Sequence, residues 1–385
     1  FGQYAGAYVT STLSGATPTQ AHNIARGVAD TGRLIPGTDA FFAAKNAVIS
    51  NPDVLTGAKL VDNSKIYHSD ANYNFKDLVE FAEIQVGGSY RRYDLNSFGR
   101  IYTDTPQYGG IVYDEYGAYT QVQKKLMDDR LKFTGSVRYD KSQNFDGNFS
   151  PRVSFVYSAG ENKEHNFRGS FQTGFRNPTT QDQYIGFNVG NAVLIGSDPE
   201  NLDRYSETLP VNTTVGQAFA GGATSVMTGQ NAYYNSYTAQ SVTAFAALAG
   251  TNPVAAAALL KKTNVGLVKP ETVKAIELGY RGQYKGFSYD LNGYYNIYND
   301  FIGNLTVVAP LYGKAQDAPS LTAGPTDLGF QSVHAISNGN TRAYQLYTNT
   351  DVEIKSLGFG FGVSKKVYKN FEVSANYNYA QFDFD

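Results

Sequence analysis

The run "DKSQNFDGN" sets Asp140, Ser142, Asn144, Asp146 and Asn148 at every second position. Oxygens at that spacing suit a calcium ion, but a calcium loop closes on a bidentate glutamate and none follows. An Asx-rich turn, in which short polar side chains bond their own backbone, accounts for the same composition. "GSDPENLDR" offers Asp198, Glu200 and Asp203 on similar terms, again with a turn as the simpler reading. The histidines are His22, His68, His165 and His334; none pairs at i+4 or joins a carboxylate cluster with metal spacing. "LGFGFGVSKK" looks like a phosphate loop, yet its glycines alternate with Leu357, Phe359, Phe361 and Val363, as strand pleat requires. No Gly-Lys-Ser/Thr follows it. Cysteine is absent, so no disulfide or thiolate metal site exists. No Ser, His and Asp set can be argued to make a nucleophile, so an enzyme, a cofactor and a metal site are not expected. Calcium at Asp140, Ser142, Asn144 and Asp146 remains the alternative.

Arg176 is the single residue whose placement points furthest. It ends a polar strand face just before Asn177 and Pro178 stop the strand. There it either guides an anionic ligand or pairs with a neighbouring strand. Gln181, Tyr184, Phe187, Tyr233, Tyr234 and Tyr237 follow on the longest loop and are the ligand-contact candidates. Binding residues concentrate on loops held by a rigid scaffold.

The scaffold is written in period two. In "FRGSFQTGFRNPT", Phe167, Gly169, Phe171, Thr173 and Phe175 alternate with Arg168, Ser170, Gln172, Gly174 and Arg176. Phe133 and Val137 oppose Thr134, Ser136 and Arg138 in the same way, and Leu278 and Leu291 oppose Glu277, Asp290 and Asn292. Further runs cover 65–75, 82–91 and 371–379. A run of about 11 residues rises roughly 37 Å. Tilted by about 40°, it covers the apolar band of about 25 Å in a membrane barrel. A soluble sandwich would use strands of about 5–6 residues. Phe133, Val137, Phe167, Phe171, Phe175, Leu278 and Leu291 are therefore expected to face lipid.

Composition agrees. Among 385 residues are 30 Tyr, 24 Phe and 39 Gly, a mixture that suits strands and loops. Charge is balanced, with 32 Lys+Arg against 34 Asp+Glu, so no nucleic-acid partner is expected. No run of 18 apolar residues offers a membrane-crossing helix, which a barrel does not need. The chain opens "FGQYAGAYVT" and closes within an alternating run; both ends read as cut, so a partial chain is expected. Tight turns such as "MDD", "YKG" and "YKN" alternate with long loops near 11–58, 95–110, 177–270 and 303–341, except after Tyr139, where a medium loop stands on the long-loop side. This is the pattern of short periplasmic turns and long extracellular loops. About eleven strands are legible. One is ambiguous: Tyr344, Leu346, Val352 and Ile354 keep an even phase, whereas Leu357 to Val363 are odd. Strand parity favours a bulge near Lys355–Ser356 over an extra turn. Short helices are expected at Asn252–Pro253 and from Asp39.

Two segments carry a family likeness. "SFQTGFRNPTTQDQY", with Gly174, Phe175, Arg176, Pro178 and Thr179, resembles the Gly-Phe-Arg-x-Pro-Thr strand end of TonB-dependent receptors. "LVKPETVKAIELGYRGQYKGFSYDLNGYYNIYNDFI", with Lys269, Pro270, Glu271, Glu277, Gly279 and Tyr280, resembles the same barrels' Lys-Pro-Glu and Glu-Leu-Gly-Tyr segment. The resemblance implies an all-β, transmembrane antiparallel barrel in the bacterial outer membrane, 22-stranded when complete, and energised uptake of a scarce, bulky nutrient. It implies outer-membrane lipids and the TonB complex as partners, the latter through a plug that these residues do not contain. A lid lipoprotein or other outer-membrane proteins are further possible partners. Residues 1–385 are then one partial barrel domain. The alternative is a barrel subunit that serves a multiprotein complex and transports nothing.

Overall fold

The structure, a computed structural model, describes residues 1–53 and 56–384. The chain divides into two compact units, Phe1–Leu60 and Val61–Asp385. The first holds three helices, α1 (Gly2–Leu13), α2 (Pro18–Ala29) and α3 (Asp39–Ser50). Thr17 and Gln20 form a capping box before α2, and Pro18 occupies its first turn. That start signal escapes the strand-centred reading of 11–58. The helix expected from Asp39 is α3, capped by Thr38.

The second unit begins with six long strands: β1 (Lys65–Asn74), β2 (Glu83–Leu95), β3 (Ile111–Leu126), β4 (Leu131–Ser142), β5 (Asn148–Ala159) and β6 (His165–Arg176). A folded excursion follows, with α4 (Thr180–Tyr184), β7 (Gly186–Asn188), β8 (Val193–Ile195), α5 (Pro199–Arg204) and β9 (Ser206–Pro210). It continues through α6 (Thr214–Ala220), β10 (Thr224–Thr228), α7 (Gly229–Tyr234), β11 (Tyr237–Thr238), α8 (Ala239–Ala249) and α9 (Pro253–Ala257). The long strands resume as β12 (Glu271–Tyr284) and β13 (Phe287–Asn299). Then come β14 (Ile302–Pro310), α10 (Leu328–Ser337), β15 (Thr341–Asn349), β16 (Ile354–Tyr368) and β17 (Phe371–Phe384).

Ten strands form one antiparallel wall in the order β1-β2-β3-β4-β5-β6-β12-β13-β16-β17. Its register keeps the two faces apart. Phe133, Phe155, Gly169, Leu278, Gly293, Phe359 and Tyr379 pair in one row across seven strands. Val122, Gly135, Val153, Phe171, Ile276, Tyr295 and Leu357 make the next row. Phe171 and Leu278 are 45% and 63% exposed, so among the described residues of the second unit no layer covers that face. The opposite face carries Arg91, Glu115, Arg138, Arg168, Glu277 and Asp290.

Tight turns close the wall at one end. Lys285 and Gly286, both at positive φ (48° and 77°), join Tyr284 to Phe287 as a two-residue hairpin. Met127, Asp128 and Asp129 turn the β3–β4 hairpin, also at positive φ.

The wall has ten strands where the sequence reading expects about eleven. The ambiguous segment is two strands, and no bulge lies at Lys355–Ser356. β15 leaves the wall and pairs with β14, whereas β16 pairs with β13. Tyr298 pairs with Ile354 and Ile302 with Asn349, so residues 350–353 face the shorter stretch 299–301. The phase change is thus one extra residue placed at the joint.

The packed core lies beyond the wall. The loops 177–270 and 303–341 fold together into a cap around a second sheet, β11-β14-β15-β8-β7, and the hairpin β9-β10. Val193, Ile195, Leu202, Met227, Tyr233, Val307, Tyr344 and Leu346 form its centre. α9 starts as expected, with Asn252 accepting from the Ala255 N–H and Pro253 in the first turn.

Long side chains lie flat across the polar face where glycine makes room. Arg168 reaches Asp290 at 2.9 Å by passing over Gly279, where a Cβ would sit 2.3 Å from its Nε. Gly279→Val is therefore expected to destabilise the wall by about 1–3 kcal/mol through overpacking. At Gly293 an added Cβ meets nothing closer than 3.7 Å, so Gly293→Ala should cost less than about 0.5 kcal/mol. Urea unfolding midpoints of the two variants test the pair; equal losses would contradict the crossing.

Candidate functional site

Where β6 ends and β12 begins, the chain leaves and re-enters the wall. Arg176 and Glu271 are register partners there. The guanidinium grips the carboxylate twice, at 2.7 and 2.9 Å. Glu271 also accepts from the Ile302 N–H at 3.1 Å. Next to it Lys269 Nζ meets Asp300 at 2.8 Å, and the Asn349 side chain bonds both the N–H and the carbonyl of Lys269. The two motif segments therefore meet at the strand ends, holding the roots of both cap loops. Pro178 is buried, and its carbonyl accepts from Gln183 Nε2 at 2.7 Å. Thr179 caps α4 in a reciprocal box with Asp182. Of the two roles open to Arg176, the structure displays the strand-pairing one.

Beneath this clamp the polar face curls around a hollow of about 600 Å³. Residues of every strand from β1 to β6 line it, among them His68, Arg91, Tyr93, Glu115, Arg138 and Arg176. Arg91 donates to the Tyr93 hydroxyl at 3.1 Å and approaches Glu115 at 3.5 Å. Tyr93 and Asn177 also donate to Glu115, at 3.3 and 3.1 Å. Arg138 holds Asp140 through Nε and Nη2, the shortest contact at 2.6 Å, and reaches Ser89. Tyr93 and Tyr113 stack at 4.6 Å, with Tyr184 tilted on the far side of Tyr113 at 5.7 Å. The lining has more cations than carboxylates: Arg91, Arg138, Lys141 and Arg176 against Glu115 and Asp140. Parity alone puts Arg91 and Arg138 on the polar face. What it lacks is the curvature that brings β1 and β6 to one hollow.

Three candidates for ligand contact are instead packing residues. Tyr184, Tyr233 and Tyr237 are 3%, 1% and 0% exposed. Tyr233 reaches the carbonyls of Ile195 and Tyr347, and Tyr237 meets Ser332 Oγ at 2.6 Å. Burial pushes the Tyr184 and Tyr233 phenols well above the usual tyrosine range. A large loop excursion needs its own core, and its aromatics supply it. Phe187 is half-buried against Ile185, Val268, Ile302 and Tyr347. Gln181 and Tyr234 stay exposed, the former donating to the Tyr347 hydroxyl at 2.8 Å.

The calcium alternative fails on geometry. Asp140 is occupied by Arg138, Ser142 is buried, and Asn144 donates to Gln183 Oε1 and the Tyr184 hydroxyl at 2.7 Å each. Asp146 takes no part in that set; its carbonyl accepts from Asn148. The run is a strap from the β4–β5 connection to the cap. Among the described residues no group of three or more His, Asp or Glu could hold a metal. Asp198 caps α5 by accepting from the Glu200 N–H, and burial raises its pKa. Glu200 pairs with Arg204, and Asp203 accepts from Gln230.

A family model described as "TonB dependent receptor-like, beta-barrel" matches residues 36–385. No curated protein matches the chain. The solved siderophore receptor PirA from Pseudomonas aeruginosa is similar at 15% identity and a TM-score of 0.49, over 85% of this chain and 44% of that one. PirA from Acinetobacter baumannii is similar at 14% identity and 0.43, over 82% and 36%. The FrpB iron transporter from Neisseria meningitidis is similar at 11% identity and 0.44, over 84% and 36%. The chain spans less than half the length of these structures.

Removing Glu271 leaves both Arg176 and the Ile302 N–H without an acceptor. Glu271→Ala should cost about 1.5–3 kcal/mol, the range for hydrogen bonds to charged groups. Lys269→Ala breaks a pair whose side chains are 62% and 36% exposed, and should cost less than about 1 kcal/mol. Limited proteolysis of residues 177–270 reads the difference as faster cleavage in the first variant only.

Proposed function

The chain belongs to the TonB-dependent receptor-like β-barrel family, and from that premise we propose that it forms the mouth and wall of a receptor capturing a scarce, bulky nutrient for energised uptake. Barrels of this family sit in the lipids of the bacterial outer membrane, and the family consists of receptors that work with TonB rather than of enzymes. The observation that carries the reading is the cap. Two long loops spend a large share of the chain's apolar residues on one packed core and are clamped to the wall at Arg176–Glu271 and Lys269–Asp300. A barrel wall alone needs no such structure at its mouth; a rigid, shaped recognition surface does. The cation-rich hollow below the clamp, with Arg176 at its rim, gives captured cargo a polar path along the inner face. Of the sequence candidates on the cap, Gln181 and Tyr234 are the ones exposed to meet it. Metal chelate, vitamin, glycan and peptide all fit this description. Coupling to TonB would pass through a plug.

The aromatic face is then the lipid face, with Phe133, Val137, Phe167, Phe171, Phe175, Leu278 and Leu291 toward acyl chains. Phe171→Arg should cost about 2–4 kcal/mol in a bilayer if the site lies near the midplane, and Gln172→Arg, one residue along on the other face, much less. Folding equilibria in vesicles measure both, and equal costs would refute the face assignment. For uptake, a strain lacking the gene is grown with one limiting nutrient at a time: a ferric chelate, cobalamin, an oligosaccharide or a peptide. Growth should fail on one nutrient class, in that strain and in one lacking TonB alike. Undiminished growth across the panel would overturn the transport reading.

A further inference from the structure

The cations that lie over aromatic rings divide by position. Three arginines do so away from the tight turns: Arg91 over Tyr93, Arg138 over Tyr119 and Arg204 over Tyr108. Four lysines do so, and all four stand at the short-turn end of the wall. Lys124 lies 5.5 Å from the Phe81 ring centre, Lys285 5.2 Å from Tyr284, Lys365 4.1 Å from Phe287 and Lys369 5.2 Å from Tyr368. Register puts Lys124 and Lys365 on the aromatic face, opposite Phe133 and Phe287. Lys285 and Lys369 occupy turn tips at positive φ. Tyr284, Tyr368 and Phe371 around them are 58%, 63% and 70% exposed.

What sets these ammonium groups apart from the other lysines is the ring each lies over; like most lysines of the chain, they have no carboxylate partner among the described residues. Lys125, Lys269 and Lys355 pair with Asp129, Asp300 and Glu353, whereas among the described residues these four form no ion pair. Each charge is held over the face of a ring. Aromatic rings with unneutralised lysines at one edge of an oily wall match a membrane interface whose headgroups are negative.

We propose that this rim, formed by Lys124, Lys285, Lys365 and Lys369 with their rings, docks the phosphate headgroups of anionic phospholipids in the leaflet that meets the short turns. The proposal rests on the lipid-facing reading of the wall. It adds a headgroup preference and places it at one rim.

The full chain is reconstituted into phosphatidylcholine vesicles carrying either spin-labelled phosphatidylglycerol or spin-labelled phosphatidylcholine. The motionally restricted fraction of each label is then measured. Phosphatidylglycerol should be preferred by at least about threefold, because lysines near a membrane surface attract anionic headgroups. The preference should fall as salt is raised, because these charges are exposed. The combined variant K124Q/K285Q/K365Q/K369Q should restrict phosphatidylcholine as the parent does and lose the preference, while K314Q, on the cap, keeps it. The salt dependence of the parent tests the same claim without any substitution. A preference that survives in the combined variant, or that ignores salt, would overturn the proposal. So would normal restriction of phosphatidylcholine with no preference at all, which would leave an acidic protein as the partner of these lysines. If neither lipid is restricted, the lipid-facing reading itself falls, and the proposal with it.

Discussion

An antiparallel ladder of backbone hydrogen bonds sets everything else in this molecule. Where water is excluded, each peptide group must find its partner on a neighbouring strand. The eight inner strands of the wall meet that demand on both sides, with a register shift between Lys366 and Tyr368 at the short-turn end, and side-chain parity follows automatically. The rows through Phe133 and Phe171 each run across seven strands without a slip. A slip anywhere along them would turn oily side chains to the polar face on every later strand. Gly169 in the first row shows how tightly it is drawn there. An added Cβ at Gly169 would fall 2.6 Å from the Phe155 ring, so the bulk of one strand fills the space its neighbour leaves.

The polar face obeys a different rule. Its charges are held by partners on the wall itself: Arg168 and Arg281 share Asp290, Arg138 holds Asp140, and Arg176 holds Glu271. Side chains tethered in this way line a hollow without filling it, and their charges are held in fixed positions around it. Preorganisation of that kind reduces the entropy lost on binding. It also fixes where cap and wall join, because Glu271 belongs both to the clamp and to the start of β14 through the Ile302 N–H.

Much of this was legible in the sequence, and the limits have physical causes. Period two gave the strands, both faces and the tight turns, since alternation is a local property. The Gly-Phe-Arg-x-Pro-Thr and Lys-Pro-Glu segments pointed to the joint, and in the fold they are adjacent strand ends. The cap was not legible. Its core joins Val193, Met227, Val307 and Tyr344, residues too far apart in the chain for any periodic signal to link them. Loop tyrosines therefore looked like ligand contacts when Tyr233 and Tyr237 were packing. The hollow was half legible: parity places Arg91 and Arg138 on the polar face, and only the curl of six strands sets them around one space.

The joint between wall and cap shows why a phase break in the sequence need not be a defect. In the wall, odd residues of β13 pair with odd residues of β16, as Tyr295 does with Leu357, and both sets are apolar. In the cap, odd residues of β14 pair with even residues of β15, as Leu305 does with Leu346 and Val307 with Tyr344, and again both are apolar. The apolar phase changes on one of the two paired strands and not on the other. Kept in a single register from end to end, those strands would set oily against polar side chains on one side of the joint. One additional residue within 350–353 removes the conflict, and left-handed Asp300 with the Asn349 side chain bridges the gap in the ladder. The same hairpin can then keep its apolar side chains on the aromatic face along the wall and turn them into a protein core in the cap.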